Sequence, residues 1–281
     1  MGIVGLEGAP SARARSKVLR DTGRALGGAL IFSMPMLMTM EMWWLGFSMD
    51  RLRLALLLVV CLPLLVLLSR RIGFETTRAW REDVSDALFA LGVGMVTSAV
   101  ALTVFGVIGP GMSFHEIAGK IAIQVVPASI GALLARSQLG SERRDEEEQQ
   151  EETYWSEMFL MAVGALFLGF NVAPTEEMIL ISYQMTPWHA VGLVLLSLLV
   201  MHGFIFAVGF RGGTELTPQT PWWNAFIRFT LPGYMLALLV SLYILWTFGR
   251  TDDTSLEQVI TATIVLGFPS SAGAAAARLI L

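Results

Sequence analysis

Three glutamates lie within apolar stretches of the chain, where a charged side chain is costly. Glu41 lies in MLMTMEMWWLGF, and Glu176 and Glu177 lie in NVAPTEEMILIS. A carboxylate at membrane depth faces the protein interior or water by default. Carboxylates beside carbonyl groups that a proline has freed suit protons or hard cations. The sequence therefore predicts an ion-binding or permeation site that contains Glu41, Glu176, Glu177, Thr39, Thr175 and Asn171. Alternatively, these acids cap helix ends at the lipid headgroups.

A second charged group lies near the opposite boundary of the predicted membrane segments. The spacing Trp80-x5-Asp86 matches Trp222-x5-Arg228, so an acid and a base occupy corresponding positions. Such residues can pair across a symmetry axis, or they can extend to the interface. We expect an inner charged layer formed by Asp83, Asp86 and Arg228.

The composition identifies the environment that must position these residues. The chain has 281 residues, of which 54% are hydrophobic and 15% are charged, and its mean hydropathy is +0.63. Soluble domains average about 25% charged residues, so these values indicate a polytopic integral membrane protein embedded in a lipid bilayer. A single cysteine, Cys61, excludes a disulfide scaffold, and a net charge of −4 without a basic patch disfavours nucleic-acid binding.

Catalytic signatures are missing from the sequence. It has no Gly-x-Ser-x-Gly motif, no phosphate-binding loop and no paired cysteines, and its three histidines do not have metal-ligand spacing. We therefore expect no enzymatic activity and no cofactor, and the sequence leaves the identity of any metal open.

The hydrophobic segments and the basic residues predict the topology. A helix needs about 20 apolar residues to cross a bilayer. Basic residues cluster before the first span, between spans two and three and after span four, whereas the opposite connections hold only Arg51, Arg53 and Arg250. Basic loops stay in the cytoplasm, so both termini are expected there. The predicted transmembrane helices are 26–47, 52–69, 84–108, 114–136, 155–179, 188–210, 224–248 and 257–280.

The chain also aligns with itself. Residues 28–49 match 164–185 without a gap at seven of 22 positions, including Thr-x-Glu-Met, and 127–136 match 269–278 at six of ten. Each half then holds four spans, an even number. The sequence therefore predicts an all-α membrane protein built from two parallel four-helix repeats, related by a twofold axis along the membrane normal.

The second pair of matched segments has the small-residue spacing of closely packed membrane helices. Each segment contains Pro-x-Ser-x-Gly-Ala, and small residues let helix backbones approach where lipid provides no hydrophobic drive. We expect helix packing at Pro127, Gly131, Pro269 and Gly273, with spans four and eight near the centre.

The domain organisation follows from the repeat and from one acidic segment. Residues 137–153 contain seven acids and lack apolar periodicity, which is typical of a solvated spacer. We predict a cytoplasmic N-terminal segment at 1–25, a first repeat at 26–136, an acidic cytoplasmic linker at 137–153 and a second repeat at 154–281.

The stretches ALIFSMPMLMTMEMWWLGF and LGFNVAPTEEMILIS, together with the eight spans, resemble a bacterial integral membrane family of unknown function. The resemblance extends over nearly the whole chain after about residue 20. It implies a location in the bacterial inner membrane and no particular activity.

The residues favour a channel or transporter for small cations or protons, built around the intramembrane carboxylates. The alternative is a non-transporting accessory or scaffold subunit whose acids lie at helix ends. The chain acts either as a monomer or as a homodimer, in which four repeat units would surround one centre.

Overall fold

The computed structural model describes residues 12–72, 80–139, 154–207 and 222–280, and within these ranges the chain is helical without any β-strand. The helices are α1 (Ala12–Leu37), α2 (Met40–Ser48), α3 (Arg51–Ile72), α4 (Trp80–Val104), α5 (Phe114–Leu139), α6 (Tyr154–Val172), α7 (Glu176–Gln184), α8 (Pro187–Ala207), α9 (Trp222–Ala225), α10 (Leu231–Thr247) and α11 (Leu256–Ile280). A π-helical turn, Phe226–Thr230, joins α9 to α10.

Within the described residues, seven helical segments are long and apolar enough to cross a membrane, and an eighth is obtained if α1 and α2 count as one bent span. The prediction of an all-helical, multi-pass membrane protein is thereby confirmed, and the eight predicted spans compare with seven to eight candidate spans. The predicted N-terminal segment 1–25 partly belongs to the first helix, because α1 begins at Ala12. The acidic linker lies outside the described residues from position 140 onward.

The prediction of one continuous helix over 26–47 is wrong. The chain leaves the helix after Leu37, and α2 continues at an angle of 88° to α1. Thr39 takes an extended conformation at the start of α2, and Pro35 removes one backbone N–H from the last turns of α1. Apolar composition alone predicts length and does not reveal such a bend.

The predicted helix 155–179 is also interrupted. α6 ends at Val172 and α7 starts at Glu176. Pro174 lies between the two helices, and a proline disfavours the helical conformation of the residue before it. The interruption therefore has a local cause in the sequence, the proline at position 174.

Each half of the chain packs around its last long helix. α5 packs on α1, α2, α3 and α4, and α11 packs on α6, α7, α8 and α10. The expectation that spans four and eight lie centrally therefore applies within each half. A shared hydrophobic core includes residues of both halves, among them Leu65 and Phe170. The ring centroids of Phe32 and Phe167 are 5.1 Å apart.

Candidate functional site at the interrupted helices

The break between α1 and α2 leaves backbone carbonyl groups that nearby side chains satisfy. The Thr39 hydroxyl donates to the Pro35 carbonyl. The indole N–H of Trp43 donates to the Leu37 carbonyl at 2.7 Å, and the Gln124 amide donates to the Met36 carbonyl at 2.9 Å. Irregular backbone is tolerated at membrane depth when protein satisfies its polar groups. The bend is therefore compatible with a location inside the bilayer.

Side chains also bind the backbone carbonyl groups near the break between α6 and α7. The Thr175 hydroxyl donates to the Val172 carbonyl at 2.8 Å, and the Asn171 amide donates to the Phe167 carbonyl at 2.8 Å. The Arg250 guanidinium donates to the Pro174 carbonyl at 2.7 Å. Thr39 and Thr175, which align in the sequence, therefore both precede a short helix, and each hydroxyl bonds to the helix before the break.

The three predicted glutamates lie in the first turns of these short helices. Glu41 is half-buried on α2, whereas Glu176 and Glu177 are exposed on α7. A carboxylate at a helix N-terminus is stabilised by the helix dipole. α2 packs on α5 and α7 packs on α11, so the two short helices have different supports.

An arginine that the sequence analysis did not assign to the site lies beside these acids. The Arg250 guanidinium is 2.8 Å from a carboxylate oxygen of Glu176, in addition to its bond to the Pro174 carbonyl. The pair joins the start of α7 to the loop after α10. Residues 176 and 250 are far apart in the chain, so no local spacing indicated this contact.

Lys120 forms a second charged contact at the same end of the molecule. Its side chain is only 6% exposed, and its ammonium donates to Glu116 at 2.8 Å and to the Val107 carbonyl at 3.2 Å. A groove of about 390 Å³, lined in part by Trp43 and Phe47, lies beside it. The i, i+4 spacing of an acid and a lysine within an apolar span was the available signal.

A third charged pair connects the two halves of the chain. Both nitrogens at the Arg53 guanidinium tip donate to the Asp252 carboxylate at 2.8 Å, and one of them also donates to the Trp246 carbonyl at 2.9 Å. The guanidinium lies 4.9 Å from the centre of the Trp246 ring. The hydrogen bond from Arg53 holds the pKa of Asp252 below its usual value. The bidentate pair fixes the start of α3 against the loop between α10 and α11.

The residues of the predicted inner charged layer lie in different environments. Asp83 is buried on α4 at 2% exposure, Asp86 is half-buried, and Arg228 is exposed on the π-helical turn. Among the ion pairs of the described residues, none joins Arg228 to either aspartate. The inner charged layer formed by Asp83, Asp86 and Arg228 therefore stays a prediction.

The predicted packing glycines are in close backbone contact. A Cβ atom on Gly131 would lie 2.6 Å from the Gly28 carbonyl oxygen, and a Cβ on Gly164 would lie 2.8 Å from the Gly273 carbonyl carbon. Pro127 and Pro269 lie inside α5 and α11. Gly28 and Gly164 align in the sequence, as do Gly131 and Gly273, so corresponding glycines meet in both halves.

Several oxygen atoms in the interior have no hydrogen-bond partner within the described part of the chain. In the first half these are the hydroxyl oxygens of Ser69, Thr97 and Ser98 and the amide oxygen of Gln124. Ser98 and Gln124 are fully buried. A buried polar group without a partner is costly, so water is the natural partner for these atoms.

The acids of the predicted site do not share one of the described cavities. Neither the groove of about 390 Å³ nor a second groove of about 630 Å³ is lined by Glu41, Glu176 or Glu177. Among the described residues, no group of three or more His, Cys, Asp or Glu side chains could hold a metal ion.

Comparison with known proteins gives one finding. A family model described as "Putative integral membrane protein (DUF2391)", a family of unknown function, matches residues 21–281. Comparisons with curated proteins and with solved structures gave no match. The match extends over almost the whole chain and agrees with the seven to eight apolar helices. This multi-pass integral membrane protein therefore belongs to the DUF2391 family.

Proposed function

We propose that the protein transports protons or small cations across the membrane, at a site built on the interruptions between α1 and α2 and between α6 and α7. The observation that carries the proposal is that both halves interrupt a hydrophobic helix at an aligned position, directly before a Thr-x-Glu sequence. In transporters built from repeats, interrupted helices in corresponding positions mark the substrate site. Glu41 and Glu177 are the proposed ion-binding acids.

The proposal includes two parallel four-helix repeats. It is supported by the matching contacts of Gly28 with Gly131 and of Gly164 with Gly273. A further support is the way that α4 and α10 end. Gly106 and Gly249 have φ values of +73° and +72°, and the residue after each glycine donates to a carbonyl five residues earlier. Both helices thus end in a Schellman motif, for which glycine is favoured.

The unpartnered interior oxygens support a polar path between the helices. Thr97 and Ser98 on α4 and Gln124 on α5 lie within a part of the protein that would otherwise be apolar. Water bound to these atoms would connect the region of the α1–α2 break with the centre of the first half. A proton can move along such a chain without a wide pore.

The proposed setting is the bacterial inner membrane, with both termini in the cytoplasm. The interrupted helices then face the outer side, and the Arg250–Glu176 pair closes the outer end of the second half. No enzymatic step is part of the proposal, because the chemistry it requires is ion binding and release by carboxylates.

The alternative is an accessory subunit in which the acids stabilise helix ends only. The pairing of Glu176 with Arg250 favours this alternative, as does the position of all three glutamates in first helical turns. Under this alternative the charge of Glu41 and Glu177 contributes to stability and not to transport.

Flux measurements on proteoliposomes distinguish the two functions. Proton- and cation-dependent dye signals would be recorded for the wild type, Glu41→Gln and Glu177→Gln. Glu257→Gln is the matched control, because Glu257 is an exposed acid in the first turn of α11 at the same end of the molecule. We expect a strong loss of flux in the first two variants, unchanged flux in the control, and similar melting temperatures throughout.

Gln124→Leu tests the interior path separately. Gln124 aligns with Leu266 of the second half, so leucine has a precedent at this position. The substitution removes the amide that donates to the Met36 carbonyl, which keeps the Thr39 backbone N–H as a donor, so we expect a stability cost of about 1–3 kcal/mol. The proposal expects reduced flux in a folded protein. Flux equal to that of the wild type in Glu41→Gln, Glu177→Gln and Gln124→Leu would contradict the transport proposal and favour the accessory function.

A further inference from the structure

The larger of the two described grooves lies between α1 and α5, at the end of the molecule that carries the start of α1. Its volume is about 630 Å³. Its lining includes three glycines of α1 and two arginines, Arg20 and Arg24, and the remaining lining is apolar. The lining residues are Arg20, Gly23, Arg24, Gly27, Gly28, Ile31, Phe32, Leu134 and Ala135.

We propose that this groove binds an anionic phospholipid, with an acyl chain along α1 and the phosphate beside Arg20 and Arg24. Basic pockets between membrane helices are suited to acidic lipid headgroups. The proposal does not depend on transport, so its outcome and that of the flux experiments are independent.

The dimensions of the groove fit a lipid tail. From Arg20 to Phe32 an α-helix rises about 18 Å, at 1.5 Å per residue. One leaflet of the hydrocarbon core is about 15 Å thick, half of the usual 30 Å. Ile31 is 71% exposed, so the groove opens sideways from an apolar helix surface. A small soluble anion at the arginines would leave this apolar length unfilled.

The charge of the two arginines is complementary to a phosphate group. Arg24 forms an ion pair with Asp21 at 3.6 Å, longer than a hydrogen bond, and both side chains are partly accessible. Arg20 is exposed and lines the same groove. Arg13, Arg15 and Lys17 precede them in the sequence.

The second half shows that the groove is not required by the packing of these helices. When the alignment of Gly28 with Gly164 is continued toward the N-terminus, Gly23 and Gly27 correspond to Phe159 and Val163. Val163 is buried, and Phe159 packs against the core. Arg20 and Arg24 correspond to Ser156 and Leu160, so the aligned position lacks both the space and the positive charge.

Gly23 and Gly27 can be substituted without a collision. A Cβ atom at either glycine has nothing within 4 Å. Glycine inside a helix costs about 1 kcal/mol relative to alanine. Within the described residues no neighbour requires glycine at these two positions, and the space above them is available to a lipid chain.

Native mass spectrometry of the full chain in detergent tests the proposal, with dioleoyl phosphatidylglycerol and dioleoyl phosphatidylcholine as probes. We expect the wild type to retain phosphatidylglycerol preferentially. Gly23→Phe combined with Gly27→Val, which introduces the residues of the second half, should abolish this preference. Arg20→Gln and Arg24→Gln should each weaken retention about fivefold, the effect of one basic residue near an acidic surface.

Two control variants test whether a loss of lipid binding is specific to the groove. Gly192→Val adds a side chain at another open glycine, on α8, and Arg81→Gln removes an exposed arginine on α4. Both should bind as the wild type does. Equal retention of the two lipids by the wild type, or undiminished phosphatidylglycerol binding by the folded variant with the filled groove, would overturn the proposal. If the arginine variants do not fold, the filled-groove variant still decides it.

Discussion

At the scale of single residues, the pair formed by Arg53 and Asp252 combines a bidentate hydrogen bond, a backbone carbonyl and an aromatic ring. The guanidinium is largely covered at 20% exposure, whereas the carboxylate is 51% exposed. Partly exposed pairs are worth about 0–1 kcal/mol, although bidentate geometry favours the upper part of this range. The pair matters chiefly because it joins α3 of the first half to a loop of the second half.

Asp252→Asn should lower the free energy of unfolding by less than about 1 kcal/mol at neutral pH. The pKa of Asp252 is lowered in the folded protein, so its stabilising effect is present above the usual value of 3.8. This effect is lost as the pH falls through the lowered pKa. Melting curves between pH 3 and pH 7 should therefore show wild type and variant converging at the acidic end.

Asp253→Asn is the matched control for this pH series. Asp253 is exposed, has a φ of 52° and is adjacent to Asp252. Asparagine tolerates this left-handed conformation well. We expect a melting temperature equal to or slightly above that of the wild type. A gap between wild type and Asp252→Asn that is as large at the acidic end of the series as at pH 7 would assign the effect to something other than the ion pair.

At the scale of helices, the close approach of α1 to α5 and of α6 to α11 depends on single glycines. A Cβ on Gly28 would lie 3.2 Å from the Gly131 carbonyl carbon, with closer contacts to the carbonyl oxygen and to Ala135. These neighbours are backbone and a short side chain, which cannot rotate away. Helix association in lipid depends on such packing.

Gly28→Ala should therefore destabilise the protein by about 1–3 kcal/mol, the usual cost of overpacking. Gly27→Ala, one residue away, has no neighbour within 4 Å and should be neutral or gain up to about 1 kcal/mol. Unfolding in denaturing detergent measures both. If the halves are equivalent, Gly164→Ala should resemble Gly28→Ala. Equal stability of the Gly28 and Gly27 variants would contradict the observed contact.

At the scale of the whole molecule, the two halves are joined by apolar and polar contacts. Phe32 packs against Phe167, and Arg53 bonds to the loop after α10. Residues of both halves contribute to one buried core. The distribution of basic residues predicts the orientation of this bundle, with both termini expected in the cytoplasm.

Single cysteines test this orientation with a membrane-impermeant maleimide. Cys61 is buried, so the parent protein should remain unlabelled. Gly109→Cys lies in the loop between α4 and α5, where an added Cβ has nothing within 4 Å. It should react in intact cells, whereas Ser141→Cys in the acidic linker should react only in inverted membranes. Labelling of Ser141→Cys in intact cells would reverse the topology.

The oligomeric state belongs to the same scale. Measurement of the mass in nanodiscs distinguishes a monomer from a homodimer. If the measured mass is that of one protomer, the proposed transport path must lie within a single protomer.

The sequence by itself determined the membrane class, the approximate positions of the spans and two of the glycines at which helices meet, Gly131 and Gly273. The free energy of transfer of a segment into lipid is approximately the sum of the contributions of its residues. Composition therefore predicts a spanning segment without knowledge of its neighbours. Matched Gly-x-x-x-Ala spacing likewise predicts a packing surface from one helix alone. The interruption at Pro174 also has a signal within a few residues of the break.

Only the tertiary structure decided the contacts between distant residues. Arg53 and Asp252 are separated by 199 positions, and Arg250 meets Glu176 across 74 positions. The groove beside Gly23 needs the surfaces of both α1 and α5, and the 88° bend after Leu37 lies within a segment that the sequence predicted as one span. Ion pairs, cavities and bends depend on the relative placement of helices, and that placement comes from packing, which a single segment of sequence does not contain.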